Sequence, residues 1–183
     1  MNDPLPQGAK IRILGGGQLG RMLSVAASRL GFTTHIFEPG ANPPAGQVAH
    51  KITTASYEDT KALQAFAQSV DVITYEFENI PTSALDVLEK ICTIHPGRKS
   101  LAVSQDRLIE KKFLTGLGLK VAPYADVTNA EDATGAIASI GVPSILKTRR
   151  MGYDGKGQMR LIEASDMTSA WQVMDGAASI LEG

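Results

Sequence analysis

Three consecutive glycines, Gly15, Gly16 and Gly17, separate a β-branched run at Lys10 to Leu14 from a stretch with helical spacing at Gln18 to Leu30. A strand that leaves a glycine turn as a helix has few folds open to it. Gly31 stops the helix and Thr33 to Phe37 supplies a second strand, so the segment reads as a βαβ crossover with parallel strands. Leu19, Met22, Leu23, Ala26 and Leu30 are expected to line the buried face of the helix.

The alternation continues. A Pro/Gly-rich connection at Pro39 to Gly46 precedes a short strand at Lys51 to Thr53, a helix at Glu58 to Ser69 and a strand at Val70 to Thr74. A helix at Thr82 to Lys90 and a strand at Ile91 to His95 follow. The pattern predicts an α/β fold: an open, mostly parallel, Rossmann-like sheet with helices on both faces, whose ligands gather beyond Leu14, Phe37 and Thr74. Ser104 is expected to cap a helix running to Leu117, and the domain boundary is placed there, giving domains 1–103 and 104–183. The second domain should hold an extended segment at Val121 to Val127, a helix at Ala130 to Ile140 and strands at Ser144 to Thr148 and Gln158 to Ile162. A helix at Ser165 to Met174 and a strand at Ala178 to Glu182 end it, so this domain is expected to be incomplete.

Composition narrows the function. The 18 Lys+Arg and 19 Asp+Glu nearly cancel, so no general positive field exists to hold a nucleic-acid backbone, and phosphate must be met by a local site. No apolar run approaches the length of a membrane span, and the polar start lacks a secretory core, so a cytoplasmic location is expected. Cys92 is the only cysteine, which excludes an internal disulfide. His35, His50 and His95 lie far apart and read as structural residues.

Gly15 to Gly20 matches GxGxxG, a turn whose free amides favour an anion, and Glu38 lies 18 residues after Gly20, near the position of a ribose-binding acid. On this loop alone a nicotinamide-dependent oxidoreductase stays open. The second glycine loop, Gly152 to Gly157, follows Lys147, Arg149 and Arg150 and contains Lys156. It is no P-loop, because Gly157 stands where a hydroxyl is needed and a strand follows in place of a helix. A glycine hairpin flanked by lysines can instead fold over a polyphosphate.

Four segments carry a resemblance: GGGQLGRM at 15–22, TYEFENIP at 74–81, SQDRLIEKKFL at 104–114 and LKTRRMGYDGKGQ at 146–158. Together they resemble the 5-(carboxyamino)imidazole ribonucleotide synthetase family of ATP-grasp ligases. The resemblance implies a pre-ATP-grasp domain, then the first part of an ATP-grasp domain. It implies ATP contacts from Arg107, Lys147, Gly152, Tyr153, Asp154, Gly155, Lys156, Gly157, Gln158 and Glu182. Gln18, Leu19, Glu76 and Tyr153 are implied to meet aminoimidazole ribonucleotide, with Glu76 at its amine, while Glu78 and Asn79 shape the loop. The implied reaction makes carboxyphosphate from ATP and bicarbonate and transfers its carboxyl group to that amine, in purine biosynthesis. Magnesium ligands and catalytic residues are implied beyond Gly183, so residues 1–183 alone are expected to be inactive; a homodimer is a candidate assembly. Glycinamide ribonucleotide transformylase and biotin carboxylase share the architecture and remain alternatives within the superfamily.

Overall fold

The computed structural model describes residues 4–68, 70–152 and 155–183, which form two compact units, Met1–Leu101 and Ala102–Gly183. In the first, β1 (Lys10–Leu14), β2 (Thr33–Phe37), β3 (Lys51–Thr53) and β4 (Val72–Tyr75) form a parallel sheet in the order β3-β2-β1-β4. The expected parallel sheet is therefore present. Residues alternate in side along each strand. Ile13 and Ile36 enter one small core with Ala45, whereas Leu14 and Phe37 enter the main core with Leu63, Phe66, Leu85 and Leu88. The last four side chains come from α2 (Thr60–Ala67) and α3 (Thr82–Leu88).

Three expectations need correction. First, α1 (Gln18–Arg29) buries Gly20, Ser24 and Ala27, while Leu19, Met22, Leu23, Ala26 and Leu30 are exposed. The period was legible, but the side that faces inward is the one with small residues. A Cβ on Gly20 would lie 2.8 Å from the carbonyl oxygen of Gly15, so close approach decides the orientation against hydrophobicity. Second, the strand expected at Ile91 to His95 reduces to an isolated parallel bridge between Ile73 and Ile94, since Pro96 has no amide with which to prolong it. Third, the helix expected from Ser104 starts later, as α5 (Arg107–Gly116), and Ser104 instead ends a separate helix, α4 (Arg98–Ser104), that the sequence did not announce. Asp106, not Ser104, caps α5, accepting hydrogen bonds from the amides of Leu108 at 2.9 Å and Ile109 at 3.3 Å.

The second unit holds an antiparallel sheet of β5 (Tyr124–Val127), β8 (Ser179–Glu182), β6 (Ser144–Thr148) and β7 (Gln158–Leu161), in that order. Helices α6 (Ala130–Ile140) and α7 (Asp166–Val173) bring Ala133, Ala136, Met167 and Ala170 onto Val127, Leu146, Leu161 and Leu181. Asn129 caps α6 through the amide of Asp132.

Candidate functional site

The first glycine loop is already occupied by the protein itself. The Gly15 amide donates to the carbonyl of Phe37 at 3.0 Å, the Gly16 amide to Glu38 Oε2 at 2.8 Å and the Gly17 amide to Glu76 Oε1 at 2.9 Å. Glu38 takes a second amide, from Gly40, at 2.9 Å. The loops after β1, β2 and β4 thus meet, as the parallel sheet requires. Gly15 has a φ of +98°, and a Cβ there would lie 2.7 Å from Glu76 Oε1, so glycine is needed to admit the carboxylate. Tyr57 stacks on Phe37 with ring centroids 5.6 Å apart. Burial first, then the negative charges of Glu38 and Glu76, push its hydroxyl well above the usual range, so it stays protonated.

Glu76 also lines an open cleft of about 500 Å³ with Leu19, Met22, Leu23, Ala26 and Tyr75. The apolar face of α1 that the sequence assigned to the core is therefore one wall of this cleft. Glu76 Oε2 makes no hydrogen bond among the described residues, leaving one acceptor beside an apolar wall. Such a cleft suits a flat ring that carries a donor. Gln18 and Leu19 begin α1 and are exposed, and its first turn has no side-chain cap. In the neighbouring loop, Asn79 donates to Glu78 Oε1 at 3.0 Å.

In the second unit, two distant sequence segments are joined. Arg107 Nη1 donates to the carbonyl of Thr148 at 2.6 Å and Nη2 to that of Gly152 at 2.8 Å, so Arg107 pins the entrance of the second glycine loop. Arg149 forks onto Asp106, with Nη2 to Oδ2 at 2.7 Å and Nε to Oδ1 at 3.1 Å, and Arg150 donates to Gln105. Hydrogen bonding to Asp106 raises the Arg149 guanidinium above its ordinary value. Burial pushes the Asp106 carboxyl up, but the bond from Arg149 and the capped amides outweigh it and hold the group below the usual carboxylate range. The Thr148 amide donates to the carbonyl of Gly157 at 2.8 Å, closing the hairpin, and a Cβ on Gly157 would lie 2.5 Å from Thr148 Oγ1.

Lys147 does not stand alone. Glu182 accepts from Lys147 Nζ at 2.9 Å and from Lys111 Nζ at 2.6 Å, all three side chains being largely buried. Burial raises the Glu182 carboxyl, yet the two lysines outweigh this and keep it below the usual range. Two cations on one carboxylate leave a net positive charge, which suits a phosphate. Sequence reasoning missed Lys111, although it lies four residues after Arg107 and so shares a face of α5 with it. It also missed Asp106, whose position before a helix is an N-cap signal. Gly155 and Lys156 lie on the exposed hairpin and Gln158 opens β7, whereas Tyr153 and Asp154 lie outside the described residues. Among the described residues no group of three His, Cys, Asp or Glu side chains could hold a metal ion, and no helix is long and apolar enough to cross a membrane.

Comparison with known proteins agrees with this arrangement. The ribonucleotide synthetase preATP-grasp domain matches residues 8–105, and the ATP-grasp domain matches residues 112–183. An N5-carboxyaminoimidazole ribonucleotide synthase from Brucella melitensis is 47% identical over 98% of this chain and 50% of its own length. A crystal structure of an N5-carboxyaminoimidazole ribonucleotide synthetase in complex with ADP superposes with a TM-score of 0.92 at 43% identity, covering 100% of this chain and 48% of that one. The enzyme of Aspergillus clavatus with ADP and 5-aminoimidazole ribonucleotide gives 0.84 at 26% identity, over 96% of this chain and 46% of that one. The chain spans about half the length of the curated relatives it matches. With more than half its length matched by one family and the four motifs folded into two units that superpose on solved members, the chain belongs to the ribonucleotide synthetase preATP-grasp family, joined to an ATP-grasp segment.

Proposed function

We propose that this chain supplies the substrate cleft and the phosphate-facing loop of an ATP-grasp ligase that carboxylates aminoimidazole ribonucleotide in purine biosynthesis. In that reaction bicarbonate attacks the γ-phosphorus of ATP, giving carboxyphosphate and ADP. The amine of the ribonucleotide then attacks the carboxyl carbon, phosphate leaves, and the new carbon–nitrogen bond gives 5-(carboxyamino)imidazole ribonucleotide.

The observation that carries this reading is the filling of the first loop by Glu38 and Glu76. A dinucleotide pyrophosphate needs those amides free and would meet two carboxylates, so the oxidoreductase alternative loses its site. An exocyclic amine instead finds an acceptor in Glu76, and the imidazole ring finds Leu19, Met22 and Leu23 beside it. Gln18 belongs to the same substrate contact. In the second unit, Lys147, Arg107, Glu182 and the hairpin Gly152, Gly155, Lys156, Gly157 and Gln158 serve the triphosphate and its nucleoside. Their task is electrostatic, offsetting charge as the γ-phosphoryl group transfers. Magnesium belongs to the same reading as the ion that would offset triphosphate charge, and among the described residues no group of three His, Cys, Asp or Glu side chains could hold it. Bicarbonate as carboxyl donor, a homodimer and a cytoplasmic location belong to the same proposal.

Calorimetry with aminoimidazole ribonucleotide and with NAD tests it, in a protein continued to its relatives' length. Glu76→Ala should weaken ribonucleotide binding by about 1.5–3 kcal/mol, the scale of a hydrogen bond to a charged group. Glu38→Ala should not create or abolish NAD binding, because none is expected. Saturable NAD binding that depends on Glu38, without a response to the ribonucleotide, would overturn the assignment.

A further inference from the structure

At the opposite, amino-terminal ends of β1, β2 and β3 lies a second concavity of about 330 Å³, lined by Lys10, Arg12, His35, His50 and Lys51 with small or apolar neighbours. Carboxylates are absent from its lining. Strand register makes the arrangement more than a scatter of surface charge: Arg12 pairs with His35, and His35 with Lys51, so the three side chains form one row across three adjacent strands. Lys10 is two residues before Arg12 and projects from the same side. Since a guanidinium only donates, His35 Nδ1 accepts from Arg12 and the imidazole is neutral, so the cations of the row are Lys10, Arg12 and Lys51, none of which forms an ion pair among the described residues.

Nearby groups answer this charge only in part. Arg12 contacts His35 Nδ1, donates to the carbonyl of Gln68 at 2.6 Å and lies 5.1 Å from the centre of the Phe66 ring. Its Nε is buried without a hydrogen-bond partner. His35 Nε2 is engaged with Thr53 Oγ1 at 2.8 Å. Asp71 accepts the backbone amide of Lys10 at 2.7 Å and lies outside the lining. Lys10, His50 and Lys51 are exposed and form no ion pair with a carboxylate among the described residues. A small ligand with two negative charges would be drawn to this row, and the volume admits a phosphate group together with a small substituent.

We propose that this pocket is a second anion site that takes a small phosphate-bearing ligand. It is separate from the first glycine loop, which lies at the other end of the same strands, about 16 Å from Lys10 for five residues of extended chain. The site depends on the first unit alone, and failure of the carboxylation reading would leave it standing.

The test is site-resolved proton–carbon NMR of the imidazoles at fixed pH, with inorganic phosphate and ribose 5-phosphate added separately and sodium chloride as the ionic-strength control. His35 and His50 should shift saturably with one or both phosphates, whereas His95, outside the lining, should not follow the same curve. Response to inorganic phosphate would show that the oxyanion suffices; response to the ester alone would assign the substituent a part. In Lys10→Gln/Lys51→Gln, both changes being at exposed positions, affinity should fall about tenfold or more, while Lys147→Met should leave it unchanged. Shifts that never saturate, that sodium chloride reproduces, or that persist in the double variant would overturn the proposal.

Discussion

The two glycine loops look alike in sequence and are opposite in charge. The first is packed with carboxylates, Glu38 and Glu76, which take its amides. The second is edged by Arg107, Lys147 and Arg149, whose charge Glu182 and Asp106 offset only in part. In both, glycine is required where the backbone is left-handed and a neighbouring side chain crowds it: Glu76 presses on Gly15 and Thr148 on Gly157. A glycine-rich loop therefore reports close approach, and the sign of the surrounding charge says which ligand can follow.

The sharpest way to break this comparison is to fill the space that glycine leaves. Gly15→Ala places a Cβ against Glu76 and forces alanine into a φ of +98°, so it should destabilise the first unit by about 3 kcal/mol, strain and overpacking together. Urea unfolding measures it. Adding Glu76→Ala should recover the overpacking share but not the strain, and additive effects in the double variant would show that Glu76 is not what demands the glycine.

In the second unit the corresponding lesion is electrostatic. Asp106→Ala removes the cap of α5 and strips Arg149 of its fork, and the loss should be about 2–3 kcal/mol. Asp106→Asn keeps a capping oxygen and should lose less. Equal losses in the two variants would place the whole effect on the ion pair.

Lys147→Met should follow, with a loss of about 2 kcal/mol in nucleotide affinity in a protein continued to its relatives' length, because on the proposed function it removes a cation that meets phosphate. Lys111→Met should have a smaller effect on affinity, since Lys111 reaches the site through Glu182. Unchanged ATP kinetics in Lys147→Met would reduce that lysine to a partner of Glu182.

Much of this was legible in the sequence, for a physical reason. Backbone periods and glycine positions are local properties, and they placed β1, β2 and the loops after Leu14, Phe37 and Thr74 at one edge of the sheet, but not the filling of the first loop's amides by Glu38 and Glu76. What stayed hidden depends on partners distant in sequence. Hydrophobicity alone sent Leu19 and Met22 inward, whereas contact with the Gly15 carbonyl turned the Gly20 side of α1 to the sheet. The break between α4 and α5 at Asp106 is stabilised by Arg149, 43 residues away, which no local window contains. Lys111 acquires its role only when β8 brings Glu182 beside it.

The smallest effect sharpens the comparison by pH. Glu182 is held below its ordinary range, so its contribution is fully present above the unfolded value, about 4.3, and is lost as pH falls through the lower folded value. Asp86, Asp106, Asp132 and Asp166 are also depressed, and a bare acid titration would mix all five. The difference in stability between the protein and Glu182→Gln separates them. That difference should be at most about 1 kcal/mol and level above about pH 5.5, then shrink as acid protonates Glu182 and frees Lys111 and Lys147. Glu76 in the first loop provides the contrast. Its partner is an amide and not a cation, so 0.5 M sodium chloride should reduce the Glu182 difference and leave that of Glu76→Gln nearly unchanged. If salt affects both equally, the second loop owes nothing special to its ion pairs, and the opposition of charge between the loops does not extend to their energetics.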